Sequence, residues 1–382
     1  MSVKFNSNYP SIDFLREKAM KKIPPFAFDY LDGGCNQNIN LRKNTSDIRS
    51  LELVPAYTKP FNEANFKTEV MGIKYDYPFG MSPIGLQGLM WPKASEILAK
   101  VADNYNVPFI LSTVGTSDIE TIAEITNGKA WFQLYHPKEN DLRNQLIQRC
   151  KDVGLPVLVL LADVPSFGYR PKEIKNGLAI PPKMTLRNII QIMSRPHWAL
   201  STLIHGQPNF KTLAPYIPKN LSLKHLGLFM NQTFSGRLTQ EKIKEIRDLW
   251  QGKLVIKGIA SAEDMDTAIK LGADGVIVSN HGGRQLDMGQ SAISALKDIV
   301  LEFKSKIPIM MDSGIRSGTD IANVLASGAE FTFLGRSFMY GVSALGNNGG
   351  EQVMHILTQE LKQVMEQIGC QNTNDLPLFL KK

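Results

Sequence analysis

The chain is poor in cysteine, has no long apolar run and carries no repeat, and each shortage argues against a class of protein. Its three cysteines, Cys35, Cys150 and Cys370, lie far apart in 382 residues and form no Cys-x-x-Cys pair. That usage fits reduced thiols in a reducing compartment better than a disulfide scaffold or a structural zinc site. Nowhere do about 18 apolar residues run uninterrupted, so no membrane-spanning helix is expected. The opening MSVKFNSNYPSIDFLREKAMKK lacks the continuous apolar stretch of a signal peptide. The expected location is therefore cytoplasmic, with a peripheral place at the cytoplasmic membrane face left open. No aromatic-interleaved basic stripe, zinc-finger spacing or RNA-binding signature appears, so nucleic acid is not an expected partner.

What is present is an ordinary globular composition, 43% apolar and 21% charged, able to bury a large core. The formal charge of +7 is concentrated in one stretch. Residues 165–238 hold ten Lys or Arg against one acid, Glu173, while the remaining chain holds 33 basic and 35 acidic residues.

From Pro78 onward, apolar or β-branched runs alternate with segments of helical periodicity, the pattern of parallel βαβ units. The runs are PFGMSPIG (78–85), VPFILST (107–113), AWFQLY (130–135), PVLVLLADV (156–164), KLVIKGI (253–259), GVIVSN (275–280), PIMMDSG (308–314) and FTFLGRS (331–337). Helical segments between them include SAEDMDTAIKLG, with Gly272 at its end, and SGTDIANVLASG, closed by Gly328. Eight such units predict a (β/α)8 TIM barrel. The whole chain reads as one domain: an N-terminal helical extension (1–77), a barrel (78–164 and 239–341), a long insertion in the fourth βα loop (165–238), and a C-terminal helix and tail (342–382). A 74-residue connection where a few residues suffice is usually a lid or a binding element.

Polar groups fall at the carboxyl ends of the runs, where a barrel builds its active site. Ser82, Ser112, Gln133, Tyr135, Asp163, Lys257, Ser279 to His281, Asp312 and Arg336 would ring one mouth. Singly, each also reads as a turn former or helix cap. The last two loops, DSGIRSG (312–318) and LGRS (334–337), bring Gly314, Arg316, Gly318, Gly335 and Arg336, a set suited to a phosphate, although turn glycines with solvated arginines would look the same. SNHGGRQLD (279–287) places His281 three residues before Arg284, a base beside a carboxylate clamp. Asp163 could orient His281, and Lys257 needs a negative partner at the end of its strand. The alternatives are a core histidine and a structural Lys–Asp pair. No His/Asp/Glu spacing around His281 suggests a metal.

These segments, together with FAFDYLDGG (26–34), SPIGLQGLMWP (82–92), LSTVGT (111–116), ADVPSFGYR (162–170) and LGRSFMYG (334–341), closely resemble the FMN-dependent α-hydroxy-acid oxidases and dehydrogenases. The resemblance spans about residues 11–375. It implies FMN as cofactor and oxidation of a small (S)-2-hydroxy acid to the 2-oxo acid. It implies His281 as base with Asp163 behind it, the α-hydrogen passing to flavin N5 as a hydride equivalent. Tyr30, Arg170 and Arg284 would hold the substrate carboxylate, and Tyr135 its hydroxyl. Ile84, Gly85, Ser112, Gln133, Lys257 and Ser279 would meet the flavin ring, with Lys257 stabilising its reduced form. Asp312, Gly314, Arg316, Gly335 and Arg336 would take the ribityl phosphate. A homotetramer is the expected assembly. Six positions depart from the family's habit. Leu161 replaces a Thr that bonds the flavin, a loss of about 1 kcal/mol. Tyr169 replaces an Arg, Asn36 and Gln37 replace acids, Gly85 stands where many oxidases have Ala, and Val114 replaces an aromatic residue.

The leading expectation is a dehydrogenase that passes electrons to a quinone or another acceptor. Rival readings are an oxygen-using oxidase that makes H2O2, a flavin-binding barrel that has lost its chemistry, and another phosphate-binding barrel such as an isomerase. In the insertion, Leu186, Ile189, Ile190 and Met193 fall on one helical face, beside Arg187 and Arg195. Residues 184–204 therefore read either as an interfacial membrane helix or as a lid helix packed on the barrel mouth.

Overall fold

The computed structural model describes residues 5–178, 185–217, 233–234, 236–304 and 306–381. Eight parallel strands follow one another around a barrel: β1 (Phe79–Met81), β2 (Ile110–Ser112), β3 (Trp131–Leu134), β4 (Val157–Leu161), β5 (Lys253–Ile259), β6 (Gly275–Val278), β7 (Ile309–Met311) and β8 (Phe331–Leu334). Strand β8 pairs with β1, and a bridge between Met81 and Phe109 joins β1 to the segment entering β2. The predicted TIM barrel is the observed fold. Most strand residues are buried because one face meets the barrel interior and the other meets the helices, which is why the runs are continuously apolar.

Inside the barrel, Ile110, Trp131, Val157, Val159, Val255, Ile277, Met310, Phe331 and Phe333 form one cluster with Val70 and Tyr75. Those last two belong to a small antiparallel hairpin, Thr68–Val70 with Ile73–Tyr75. Trp131 Nε1 donates to Tyr75 Oη at 3.1 Å, satisfying a polar atom that burial would otherwise leave unpaired. The outer core packs helices against strands.

Three helices precede the barrel: α1 (Ile12–Lys22), α2 (Pro25–Asp32) and α3 (Ile39–Arg49). Ser11 caps α1, which buries Ile12, Leu15 and Ala19. After β8 a helix runs Arg336–Leu345, past the boundary expected at 341, until Gly346 at φ +66° ends it. The insertion contains the helix pair α4 (Leu186–Met193) and α5 (Pro196–His205). Met184, Lys183, Lys219 and Lys224 of the sequence reading lie outside the described residues. Among the described residues no helix is long and apolar enough to cross a membrane, and no group of three His, Cys, Asp or Glu side chains is placed to hold a metal.

Candidate active site

The carboxyl ends of β4, β5 and β6 converge on a buried charge network. Asp163 follows β4, Lys257 lies within β5, and Ser279 and His281 follow β6. His281 Nδ1 lies 3.1 Å from Asp163 Oδ1, and its backbone N–H donates to Ser279 Oγ at 3.1 Å. His281 adopts φ +59°, a left-handed conformation that is uncommon outside glycine. A non-glycine residue in this region is the kind of local cost that recurs at functional sites. Burial pushes the His281 pKa below its ordinary value, and Asp163 opposes the shift only in part. The imidazole is consequently neutral near pH 7, with a free lone pair. Burial would raise the Asp163 carboxyl, but the charges of His281 and Lys257 overcome it and hold the group below the usual carboxylate range.

Burial also disfavours the Lys257 ammonium, yet the Asp312 and Asp163 carboxylates together outweigh it and keep the lysine charged. Lys257 Nζ lies 2.9 Å from Asp312 Oδ2 and donates to Ser279 Oγ at 2.8 Å. Asp312 accepts further bonds from Ser313 and Ser82 at 2.9 and 3.4 Å. The sequence reading put Asp312 with the phosphate loops. In the structure its carboxylate pairs with Lys257, while Gly314 and Arg316 follow it in the same loop.

Arg170 and Arg284 come together although 114 positions separate them. Glu173 bridges them: Arg284 Nη2 contacts Oε1 at 2.5 Å and Arg170 Nη1 contacts Oε2 at 3.4 Å. Each guanidinium has other anchors. Arg284 Nη1 donates to the carbonyls of Tyr30 and Gly33 at 2.7 and 3.0 Å, its guanidinium lying 4.9 Å from the Tyr30 ring centroid. Arg170 Nη2 donates to Gln285 Oε1 at 3.2 Å. Tyr30 Oη reaches the carbonyl of Gly85 at 3.3 Å. Tyr135 feels the charges of Arg170, Asp163 and Arg284, and burial raises its pKa. Tyr30, Tyr135, Arg170, Arg284, Asp163 and His281 thus share one electrostatic environment.

Three polar atoms in this region are buried without a hydrogen-bond partner among the described residues: Gln133 Nε2, Asp163 Oδ2 and Arg170 Nε. Ser112 stands in register with Gln133, and Leu161 with Lys257. A native interior rarely leaves such atoms unpaired, so a ligand carrying acceptors and donors is the expected complement. The glycines of the sixth loop both take positive φ, +65° at Gly282 and +72° at Gly283, and a Cβ on Gly283 would also lie 2.5 Å from the Leu41 backbone. Gly85 is also tight, since a Cβ there would meet Val114 Cγ2 at 2.9 Å and Tyr30 Oη at 3.4 Å.

At the last two loops, Arg336 gives its three nitrogens to the carbonyls of Leu31, Gly282 and Gly33. Burial first, then the neighbouring charges of Arg316 and Arg284, lower its pKa to about 9. Two mutually repelling guanidiniums beside Gly314 (φ +91°) and Gly335 make a place where a phosphate dianion would be favourable. The residues present therefore fit a phosphate-bearing cofactor with a polar planar ring.

Sequence reading missed Glu173 and Gln285. Glu173 is the sole acid of the basic insertion, which was a usable signal, but its partners are set by folding. Gln285 lies inside SNHGGRQLD, and its Nε2 donates to the carbonyls of Asp163 and Ser166. The insertion presents two different faces. Leu186, Ile189, Ile190 and Met193 are all exposed, so this apolar face of α4 is not covered by the barrel. The pair is held from its other side. Asn188 bonds the carbonyl of Asn176, Phe26 N–H donates to Gln191, and buried Trp198 donates to the carbonyls of Leu89 and Met90.

Residues 19–380 match the family described as FMN-dependent dehydrogenase. The chain is 34% identical over 362 residues to an L-lactate dehydrogenase of Vibrio parahaemolyticus, covering 94% of this chain and 95% of the relative. It is 33% identical over 372 residues to the (S)-mandelate dehydrogenase of Pseudomonas putida, covering 97% and 93%. A solved structure described as monotopic membrane protein (S)-mandelate dehydrogenase superposes with a TM-score of 0.93 at 33% identity, covering 98% of this chain and all of that one.

Proposed function

The chain belongs to the FMN-dependent dehydrogenase family, an FMN-dependent oxidoreductase of 2-hydroxy acids, and from that premise we propose that it oxidises an (S)-2-hydroxy acid of the L-lactate kind or larger and passes the electrons to a quinone at a membrane surface. The observation that carries the reading is the neutral His281, braced by Asp163 at 3.1 Å in the same electrostatic environment as two arginines.

In this reading Arg170 and Arg284 receive the substrate carboxylate, with the unpartnered Nε of Arg170 as one free donor. Tyr30 joins the two arginines on that carboxylate, Tyr135 orients the hydroxyl, and His281 removes its proton. Asp163 then stabilises the imidazolium that forms. FMN, when bound, supplies the two-electron acceptor. Gln133, Ser112, Ser279 and the backbone at Ile84 and Gly85 are the residues that would hold its ring, and Arg316, Arg336, Gly314 and Gly335 its phosphate. Lys257 would place a positive charge beside that ring, and Asp312 helps to keep the lysine charged and in place. The exposed apolar side of α4 and α5 supports a peripheral membrane contact and hence a lipid-soluble acceptor.

The test is spectroscopic. Anaerobic L-lactate, or a larger 2-hydroxy acid, should bleach the yellow protein, and a quinone analogue should restore its colour faster than oxygen does. Failure of every 2-hydroxy acid to bleach it contradicts the substrate assignment. Stoichiometric peroxide on admitting air, with no response to quinones, contradicts the acceptor assignment.

A further inference from the structure

Two adjoining hollows lie on the surface where α1 meets the helix pair. The first, about 380 Å³, is lined by Lys18, Lys21 and Lys22 of α1 and by Ser194–His197 at the turn between α4 and α5. The second, about 300 Å³, shares Lys22 and His197 and continues along Trp91, Leu200, Ser201, Ile204 and His205. No Asp or Glu lines either one. None of Lys18, Lys21, Lys22 and Arg195 forms an ion pair among the described residues. Lys22 is held in place, donating to the carbonyl of Ala344 at 2.9 Å with its ammonium 4.1 Å from the Trp91 ring centroid. Arg195 is fixed from behind through the carbonyl of Ile23 at 3.3 Å. Burial and the charge of Lys18 lower the Lys22 pKa, the condition of an ammonium short of an anion.

The groove is therefore cationic at one end and apolar at the other. Leu200 and Ile204, at 58% and 69% exposure, lead directly to Leu203 at 80%. A free phosphate would use only the cationic end. An anionic phospholipid uses both, placing its phosphate among the lysines and its acyl chains along Leu200 and Ile204.

We propose that the groove between α1 and α4–α5 is a binding site for an anionic phospholipid, its phosphate held by Lys18, Lys21, Lys22 and Arg195. The inference rests on the membrane contact proposed above and adds lipid selectivity to it. Apolar contact alone is indifferent to headgroup charge, whereas a basic cluster favours anionic lipid by about fivefold per charge.

Binding of the FMN-loaded protein to vesicles of phosphatidylcholine alone, and of phosphatidylcholine with phosphatidylglycerol, tests this. The wild type should prefer the anionic vesicles. Lys18→Gln with Lys21→Gln should weaken anionic-vesicle binding by about 30-fold, leave binding to neutral vesicles unchanged and keep the flavin spectrum. Lys18→Arg with Lys21→Arg should retain the preference. An undiminished preference in the glutamine variant, or equal wild-type binding to both vesicles, overturns the groove while leaving membrane contact intact. Wild-type binding to neither vesicle overturns both. Inorganic phosphate should not displace the vesicles beyond chloride of equal ionic strength; if it does, the cluster is a free-phosphate site and the lipid assignment fails.

Discussion

The barrel mouth and the α4–α5 helix pair depart from ordinary folding in opposite directions. The mouth buries Lys257 and Asp312 and half-buries Asp163, Arg284 and Arg336, charges that would be more stable in water, around the imidazole of His281. The helix pair leaves Leu186, Ile189, Ile190, Met193, Leu200, Leu203 and Ile204 in solvent, where burial would be favoured. At the mouth most of the cost is offset by pairing, Lys257 with Asp312 and His281 with Asp163, and what is left over is a set of unpartnered atoms that a ligand can satisfy. On the helices nothing within the described residues offsets the exposure. The first region leaves polar atoms unpaired; the second leaves apolar side chains uncovered. Departures of this kind mark function because a sequence selected for stability alone would remove them.

The two regions should separate under mutation. His281→Gln should lower kcat by about 10²- to 10⁴-fold, the usual contribution of a general base, with FMN content and vesicle binding unchanged. Ile189→Ser with Ile190→Ser should weaken vesicle binding by about 100-fold, from the loss of two apolar side chains in lipid, with anaerobic bleaching unchanged. A variant of either kind that damages both functions breaks the comparison.

Smaller effects sharpen it. Glu173 sits between two arginines that keep other anchors, so its chief effect there is to reduce their positive charge. Glu173→Gln should lower KM for the hydroxy acid and tighten a carboxylate inhibitor such as oxalate, by about tenfold for one buried charge. If KM rises instead, Glu173 acts by placing the arginines.

A pH profile gives the smallest displacement. The base acts when deprotonated, so kcat/KM should rise with pH through a His281 pKa that burial holds below the ordinary histidine value. Asp163 raises that pKa, so Asp163→Asn should move the acid limb to still lower pH while lowering the plateau. Movement of the limb to higher pH would show that Asp163 is not the group facing the base.

Much of this was legible in the sequence, for a physical reason. Strands buried on both faces must be continuously apolar, so eight runs stood out, and any polar residue at their ends was conspicuous. His281, Asp163 and Lys257 were found that way. Tyr30 was reached only through family resemblance, since α2 is a short apolar helix with nothing local to mark its tyrosine. Glu173 was overlooked because one partner is three residues away and the other 111. Asp312 stood out beside Gly314 as part of the loop, but its pairing with Lys257 at 2.9 Å is visible only in the folded barrel. The apolar spacing of α4 identified the helix and its face, but periodicity does not say whether that face meets protein or lipid.

The central claim is that the hydroxy-acid chemistry resides in the mouth and the membrane contact in the helix pair. Its most direct test is one variant carrying Ser at Leu186, Ile189, Ile190, Met193, Leu203 and Ile204, fractionated and then reduced anaerobically with the acid that bleaches the wild type. The account predicts FMN-loaded protein in the soluble fraction that bleaches to the same extent as the wild type. Retention in the membrane fraction, or soluble FMN-loaded protein that no longer bleaches, would contradict it.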